Sequence, residues 1–306
     1  MPRIWKMYAI LVLVMFIWGL NLPLLKYLLS YTQPVTMTGF RLLLAAITVF
    51  IILGLMKAVR LPTKKEWLYI IGGAILNVVM HHYFLNMGLV RTQATNAGLI
   101  LGTGPVLTAV MTALLLKSYP SRLQWLGVIL GFIGVSSVIF LDGGEITGLS
   151  LGDAFIFLSI LAQVLSFIII AKAAKTLDPR LLTAYMLLLG SFFMIGIGFF
   201  QEPGEIAVLF STPPIFWFWF SMSAIFGTAV GHMLYNFSVG EVGPTKAAIF
   251  INLNTFFALT GSAIFLGEVL TIRHFIALGF IIIGVIFGSG AAEDLWRSKK
   301  KEKVSS

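Results

Sequence analysis

Ten apolar stretches, each about twenty residues long, follow one another along this chain of 306 residues with only short polar breaks between them. At ~1.5 Å of rise per residue, such a stretch wound as a helix crosses the ~30 Å of hydrocarbon in a bilayer. Helical winding is forced there, because no water is present to satisfy backbone N–H and C=O groups. The stretches cover approximately residues 7–29, 35–56, 67–87, 94–116, 124–141, 151–171, 181–200, 215–237, 244–266 and 274–290. The breaks leave no room for a folded domain outside the membrane. Composition agrees: 58% of residues are hydrophobic and 11% charged, where a soluble domain carries about 25% charged residues. Soluble enzymes, secreted modules and disordered chains are therefore excluded. The absence of cysteine removes disulfide frameworks, thiolate metal sites and covalently attached haem. Arg3 and Lys6 precede the first apolar stretch as in a leader peptide, but no small-residue cleavage signal follows, so an uncleaved first helix is expected.

Lysine and arginine favour the cytoplasmic side of short loops. With both termini inside, seventeen of the 21 Lys and Arg residues fall on that side, leaving Lys26, Arg91 and Arg273 outside and Arg41 within a span. Asp142, Glu145, Asp153, Glu202 and Glu205 fall outside. The net charge of +9 is thus a signature of topology, and the expected location is the plasma (inner) membrane, multi-pass, with N- and C-termini cytoplasmic. The run Lys299 to Lys303 is expected to be a solvated tail that touches anionic membrane lipid. Basic residues spread over six inner segments form no stripe for nucleic acid.

An internal repeat gives the architecture. At an offset of 150 residues Trp67 falls on Trp217, Ala74 on Ala224, Ile75 on Ile225, His82 on His232, Asn86 on Asn236, Thr95 on Thr245 and Leu116 on Leu266. The run Ile133-Gly134-Val135 returns as Ile283-Gly284-Val285. Earlier in the chain the offset is 145, with Pro34 on Pro179 and Thr38 on Thr183. The expected division is a first five-helix repeat over 1–147, a second over 148–290 and a basic cytoplasmic tail over 291–306. An odd number of helices per copy turns the second copy upside down, giving an all-α polytopic membrane protein of ten transmembrane helices in two inverted repeats.

Four pieces carry a family resemblance: Trp18-Gly19-Leu20-Asn21, Pro34 with Arg41 through Ala45, Thr95-Asn96-Ala97-Gly98 with Pro105, and Leu266-Gly267-Glu268 before a glycine-spaced last helix. Together they resemble the drug/metabolite transporter superfamily, in its ten-helix EamA-type branch, over the whole chain. The resemblance implies a non-enzymatic secondary transporter, most often an exporter, of small amphipathic metabolites such as amino acids or of toxic compounds. One departure stands out. Where the family's first repeat usually has Gly-Glu after the fourth helix, this chain has Lys117-Ser118, so a role for that acid survives only at Glu268.

Polar residues inside spans are expensive and are site candidates. His82 with Asn86, and His232 with Asn236, lie four apart and share a helix face. The duplication places the two pairs on either side of the bilayer midplane, as two gates whose imidazoles make protons a candidate coupling ion; the alternative is a buried neutral histidine satisfied by a carbonyl. His81 faces elsewhere and suits lateral packing. Arg41 falls about six residues into its span, with Met186 at the matching place. It either binds an anionic group such as a substrate carboxylate or braces the structure, snorkelling towards the interface. Asn21, Asn77, Asn96, Gln163, Asn252 and Asn254, with Trp18, Tyr185 and Tyr235, suit an amphipathic pocket or else serve as glue between helices. Glu268 suits a helix-end partnership with Arg273.

Gly127 and Gly131, and Gly284 and Gly288, form two Gly-x-x-x-Gly faces, suited to packing within the bundle or to a homodimer. Pro23 and Pro105 are placed to kink their spans. Gly148 to Gly152 fits the pattern of a nucleophile elbow, but no strand precedes it. No phosphate loop, paired acids or His-Glu-x-x-His is present, so neither a cofactor, a metal nor a catalytic residue is expected. A polytopic membrane enzyme or a non-transporting signalling protein is the alternative reading, and it would need an unduplicated catalytic cluster near one face.

Overall fold

The computed structural model describes residues 2–92, 94–141, 150–266 and 271–293. These form ten long helices: α1 (Pro2–Leu28), α2 (Pro34–Leu55), α3 (Lys64–Leu89), α4 (94–116), α5 (Arg122–Leu141), α6 (Leu151–Ala173), α7 (Pro179–Gln201), α8 (Pro214–Val242), α9 (244–266) and α10 (Ile272–Gly288). A short helix, Glu205–Phe210, joins α7 to α8. Eight of the ten are long and apolar enough to cross a membrane by length and composition; α10, at 17 residues, is apolar but shorter. α9 is divided by a 3-10 turn over Ile249–Ile251. α4 breaks near the matching place, at Thr103, and restarts with Pro105 in the first turn of its second piece. α1 runs on past Pro23 without a break.

The interior is largely apolar, built on side chains such as Leu11, Leu42, Ile70 and Phe167, and the exterior is apolar too. Large apolar side chains such as Leu13, Ile51, Leu55, Phe192 and Phe200 point away from the protein, while Asn77, His81, Ser159, Ser166 and Asn236 are buried within it. Lipid tails are as apolar as leucine, so what helices hide from lipid is their polar groups and their close small-residue contacts.

Packing follows a rule: adding five to each helix number reproduces the pattern. α1 packs on α8 and α9 as α6 packs on α3 and α4, and α2 meets α8 as α7 meets α3. α2 pairs with α7 and α5 with α10, each with its own counterpart. In both pairs later positions of one helix meet earlier positions of the other. Gly39 lies against Ile195 and Gly198 against Thr36; Gly127 lies against Gly284 and Gly134 against Ile281. Counterpart helices therefore run antiparallel.

The two Gly-x-x-x-Gly faces are spent on each other. A Cβ at Gly127 would fall 2.7 Å from Gly284 O, and one at Gly284 would fall 2.6 Å from Gly131 N. This backbone-to-backbone contact assigns both faces to packing inside the bundle.

Helix ends are tied by polar side chains, as free N–H groups near a membrane require. Glu202 accepts from Val35 N and Thr36 N at 3.0 and 2.7 Å, and Glu205 accepts from Gln33 N at 3.1 Å, capping α2 with acids from the far loop. At the other end Thr63 and Glu66 form a capping box, Arg60 donates to Glu66 at 2.6 and 2.8 Å, and Arg60 also donates to Thr176 O at 3.1 Å. Asp153, in the Ser150 capping box, takes further hydrogen bonds from Thr92 and Asn96. Lys117, where the family resemblance calls for glycine, ends α4 in the left-handed region at φ 53. Glu268 and the basic run Lys299 to Lys303 lie outside the described residues.

Gly127→Ala is expected to destabilise the purified protein by about 1–3 kcal/mol through overpacking. Gly279→Ala, on the same helix as Gly284 with nothing within 4 Å of the added Cβ, is expected to be neutral or to gain up to about 1 kcal/mol of helix propensity. Thermal unfolding of the two variants side by side checks both.

Candidate functional site

α3 and α8 each contain one π-helical segment, Ala74–Met80 and Ser223–Val230, at the duplicated position. A π turn pairs each N–H with the carbonyl five residues back, which widens the helix and frees backbone groups for other partners. Thr228 uses this at once, its Oγ1 donating to Ser223 O at 3.3 Å. Each segment is followed directly by a duplicated histidine: His81 and then His82 in α3, Gly231 and then His232 in α8.

Two crossings related by the repeat flank these segments. On one side α1 lies against α8: Trp18 Nε1 donates to Gly227 O at 2.8 Å. A Cβ at Gly231 would overlap Trp18 Nε1, and one at Gly227 would fall 2.8 Å from the Asn21 amide. On the other side α6 lies against α3. Gln163, the counterpart of Trp18 at the offset of 145, sits 3.1 Å from His81 Nε2, while Ser166, the counterpart of Asn21, accepts from Asn77 Nδ2 at 2.7 Å. Ser159 adds bonds to His81 Nδ1 and His81 O at 2.9 and 2.8 Å. The same scaffold is thus filled by an indole over glycines in one copy and by a polar ladder in the other. His81 is buried and held on α6 by these bonds, and its ring lies 5.0 Å from that of His82, so it borders the same locus rather than packing laterally as the sequence suggested.

Between the crossings the polar residues converge. The His82 and His232 rings are 6.2 Å apart, with Trp18 5.2 Å from His232 and from Tyr235, and Phe167 5.3 Å from Tyr235. The two imidazoles therefore occupy one locus where α3 and α8 approach, rather than two separate gates. Residues that the repeat exchanges meet where the halves meet, which the linear sequence does not display. Arg41 enters the same locus from α2. Its side chain is buried and its Nη1 donates to Thr228 Oγ1 at 2.5 Å, one helical turn before His232. It does not snorkel to an interface. Among the described residues, no partner accompanies the buried Asn21 Oδ1, Arg41 Nε, His82 Nε2, Asn86 Nδ2, Tyr235 OH or Asn254 Oδ1. Each such atom costs about 1–3 kcal/mol; those of Arg41, His82 and Tyr235 belong to the locus, while others such as Thr112 Oγ1 and Ser136 Oγ lie elsewhere in the bundle.

Other expected residues lie apart. Asn236 Nδ2 donates to Thr183 Oγ1 at 2.9 Å, joining α8 to α7 as glue. Tyr185 lies in the first two turns of α7, where its hydroxyl donates to Arg60 O at 3.1 Å and its ring meets Phe50 and Trp67, so it is no part of the locus. Thr228 and Phe167 carry no sequence signal of their own; Thr228 is found only through the π turn that aims it. A cavity of about 440 Å³ near the start of α2 and the ends of α3 and α7 is walled by Gln33, Tyr83, Met87, Arg91 and Glu202, one to two turns along α3 from His82. At the opposite end a smaller one of about 130 Å³ lies between α4 and the start of α9, beside Thr112, Ser118, Gln124 and Thr245. Among the described residues no cluster of His, Asp or Glu has metal-binding geometry.

Comparison with known proteins adds an independent line. The sequence model of the EamA-like transporter family matches twice, at residues 5–140 and 150–289. The chain is 27% identical to the uncharacterized transporter YyaM of Bacillus subtilis over 278 residues, covering 89% of this chain and 90% of that one. It is 22% identical to the WAT1-related protein At3g02690, chloroplastic, of Arabidopsis thaliana, covering 91% of this chain and 68% of that one. A crystal structure of 16% identity superposes with a TM-score of 0.78 over 95% of this chain and 98% of its own, which supports the fold.

Gly231→Ala is expected to destabilise by pushing Trp18 off α8, and Trp18→Phe, which removes Nε1, to restore part of that loss. The coupling in the double mutant is expected at about 0.5–3 kcal/mol. Melting temperatures of the four proteins measure it, and additive shifts would show that the indole does not rest on Gly231.

Proposed function

This chain belongs to the EamA-like transporter family, and from that premise we propose that it is a secondary carrier that works by alternating access around the locus of His82, His232 and Arg41. The family is one of membrane transporters, not enzymes. The observation that carries the mechanistic reading is the antiparallel pairing of α2 with α7 and of α5 with α10, together with the π segment each half places beside its histidine. Two copies of one unit, inverted in the bilayer, have two equivalent ways of leaning on each other, and each opens one end.

In this reading the halves are the first and second five-helix repeats and both termini are cytoplasmic in the plasma membrane, with the basic residues on the inner side. The 440 Å³ cavity is then the outer mouth and the 130 Å³ cavity the inner one. Net movement is outward, the solutes are small amphipathic metabolites such as amino acids or toxic compounds, and protons are the coupling ion. The π turns supply the flexibility, since their loosened hydrogen bonds shift register at lower cost than a regular helix. The broken helices α4 and α9 supply a second pair of hinges.

Proteoliposomes loaded with pooled amino acids, nucleobases and lipophilic amines test this, with release followed by mass spectrometry with and without an imposed pH gradient. Selective, gradient-dependent loss of one class is expected; equal retention of every solute in protein-containing and empty liposomes would count against a carrier of these solutes. His82→Ala and His232→Ala are each expected to lower the rate by about tenfold, equivalent to ~1.4 kcal/mol, and to flatten its pH dependence. Normal rates and an unchanged pH profile in both would make the histidines packing residues.

A further inference from the structure

We propose that the solute bears a carboxylate or like monoanionic head, which docks on Arg41 while its apolar body lies on Trp18 and Tyr235. This rests on the carrier reading above and narrows its substrate class. The starting point is charge. Arg41 is the permanently charged side chain at the locus, 6% exposed, and the hydrogen bond it makes there is to the neutral hydroxyl of Thr228. Its Nε is buried with no partner among the described residues. The ion pairs among the described residues are Arg3 with Glu241, Arg60 with Glu66 and Arg180 with Asp178, and none reaches it. The described acids cap helix ends, lie in loops or, like Glu241 in the last turn of α8, pair with a surface arginine, and the other groups at the locus are imidazoles, amides, a phenol and an indole. A buried cation with no counter-charge is strongly unfavourable, and a guanidinium presents a fork of donors whose geometry matches a carboxylate.

The repeat supplies an internal control against the bracing role. Met186 stands at the position of Arg41 in the second copy, and there its thioether fills the space over Gly73, where a Cβ would fall 2.6 Å from the sulfur. Packing at this place in the fold is therefore met by an uncharged side chain. The positive charge in the first copy answers to something other than packing. A cationic solute finds no carboxylate among the described residues of the locus to receive it, whereas an anionic one completes the arginine. Trp18 and Tyr235, whose ring centroids lie 5.2 Å apart with Tyr235 buried and Trp18 half-buried, supply the apolar surface that the remainder of the solute meets once the locus opens.

The test is binding to the purified full-length protein, read as stabilisation against heating, with four probes of one skeleton: 3-phenylpropionate, phenylalanine, 3-phenylpropan-1-ol and 3-phenylpropylamine. Ligand that binds the folded state raises the melting temperature in step with its concentration over Kd. Both carboxylates are expected to bind at least about tenfold more tightly than the alcohol and the amine. Arg41→Met, which copies the second repeat, is expected to erase the preference, and Arg41→Lys to keep part of it. If Arg41→Met does not fold, the ranking of the four probes on the unaltered protein and on Arg41→Lys still decides. Equal or better binding of the amine, no binding of either carboxylate, or an unchanged preference in a folded Arg41→Met would overturn the proposal. Carboxylate binding that depends on Arg41 without movement of that solute across liposomes would instead overturn the carrier reading and leave the anion site standing.

Discussion

The antiparallel contact of α2 with α7 is the constraint on which the rest of the structure depends. These counterpart helices lie so close that a Cβ at Gly39 would fall 2.9 Å from Ile195 N and one at Gly198 would fall 2.7 Å from Thr36 Oγ1. In a bilayer no hydrophobic effect drives helices together, so contact of this kind and interhelical hydrogen bonds do most of the work. The pair is clamped at one end by Glu202 on the start of α2 and at the other by Arg60 between Glu66 and Thr176. α8 leans on α2 and α3 on α7. Arg41, carried by α2, reaches the locus because its helix is held there.

From that pair outward, one scaffold is used twice with different chemistry. Trp18 and Asn21 over Gly227 and Gly231 correspond, position by position, to Gln163 and Ser166 on Asn77 and His81. The α3–α6 crossing is stitched by several buried hydrogen bonds, while α1 meets α8 through the Trp18 ring with its bond to a π-turn carbonyl and, at the helix ends, the Arg3–Glu241 ion pair. The two copies thus keep one architecture and differ in what fills it, with one buried guanidinium, Arg41, in the first copy.

Much of this was legible in the sequence, for physical reasons that also mark where legibility stops. Helices are legible because a bilayer leaves the backbone no alternative, and the repeat because His82 and Asn86 return as His232 and Asn236 in register. The family followed from Trp18 to Asn21, from Arg41 to Ala45 and from the glycine-spaced last helix. The π segments are not legible: their period departs from 3.6 without any residue that demands it. That hides Thr228, and it hides the meeting of His82 with His232, which depends on how two distant helices cross. Tyr185 misleads because an aromatic residue in a span suits a pocket and a helix end equally, and here it serves the end, on Arg60. The depth of Arg41 is likewise set by its neighbours. Snorkelling is the default near an interface, and Thr228 instead draws the guanidinium inward.

Whether two inverted halves exchange one open end for the other can be measured directly, because the chain has no native cysteine to confuse labelling. Spin labels would be placed in pairs across one mouth, at Gln33 and Val90, and across the other, at Tyr119 and Val242. Distance distributions from double electron–electron resonance in lipid would then be compared with and without a transported solute. Alternating access predicts that the two pairs shift in opposite directions, one closing as the other opens. Distances that stay unchanged at both mouths with a solute that demonstrably crosses, or that widen together, would contradict it.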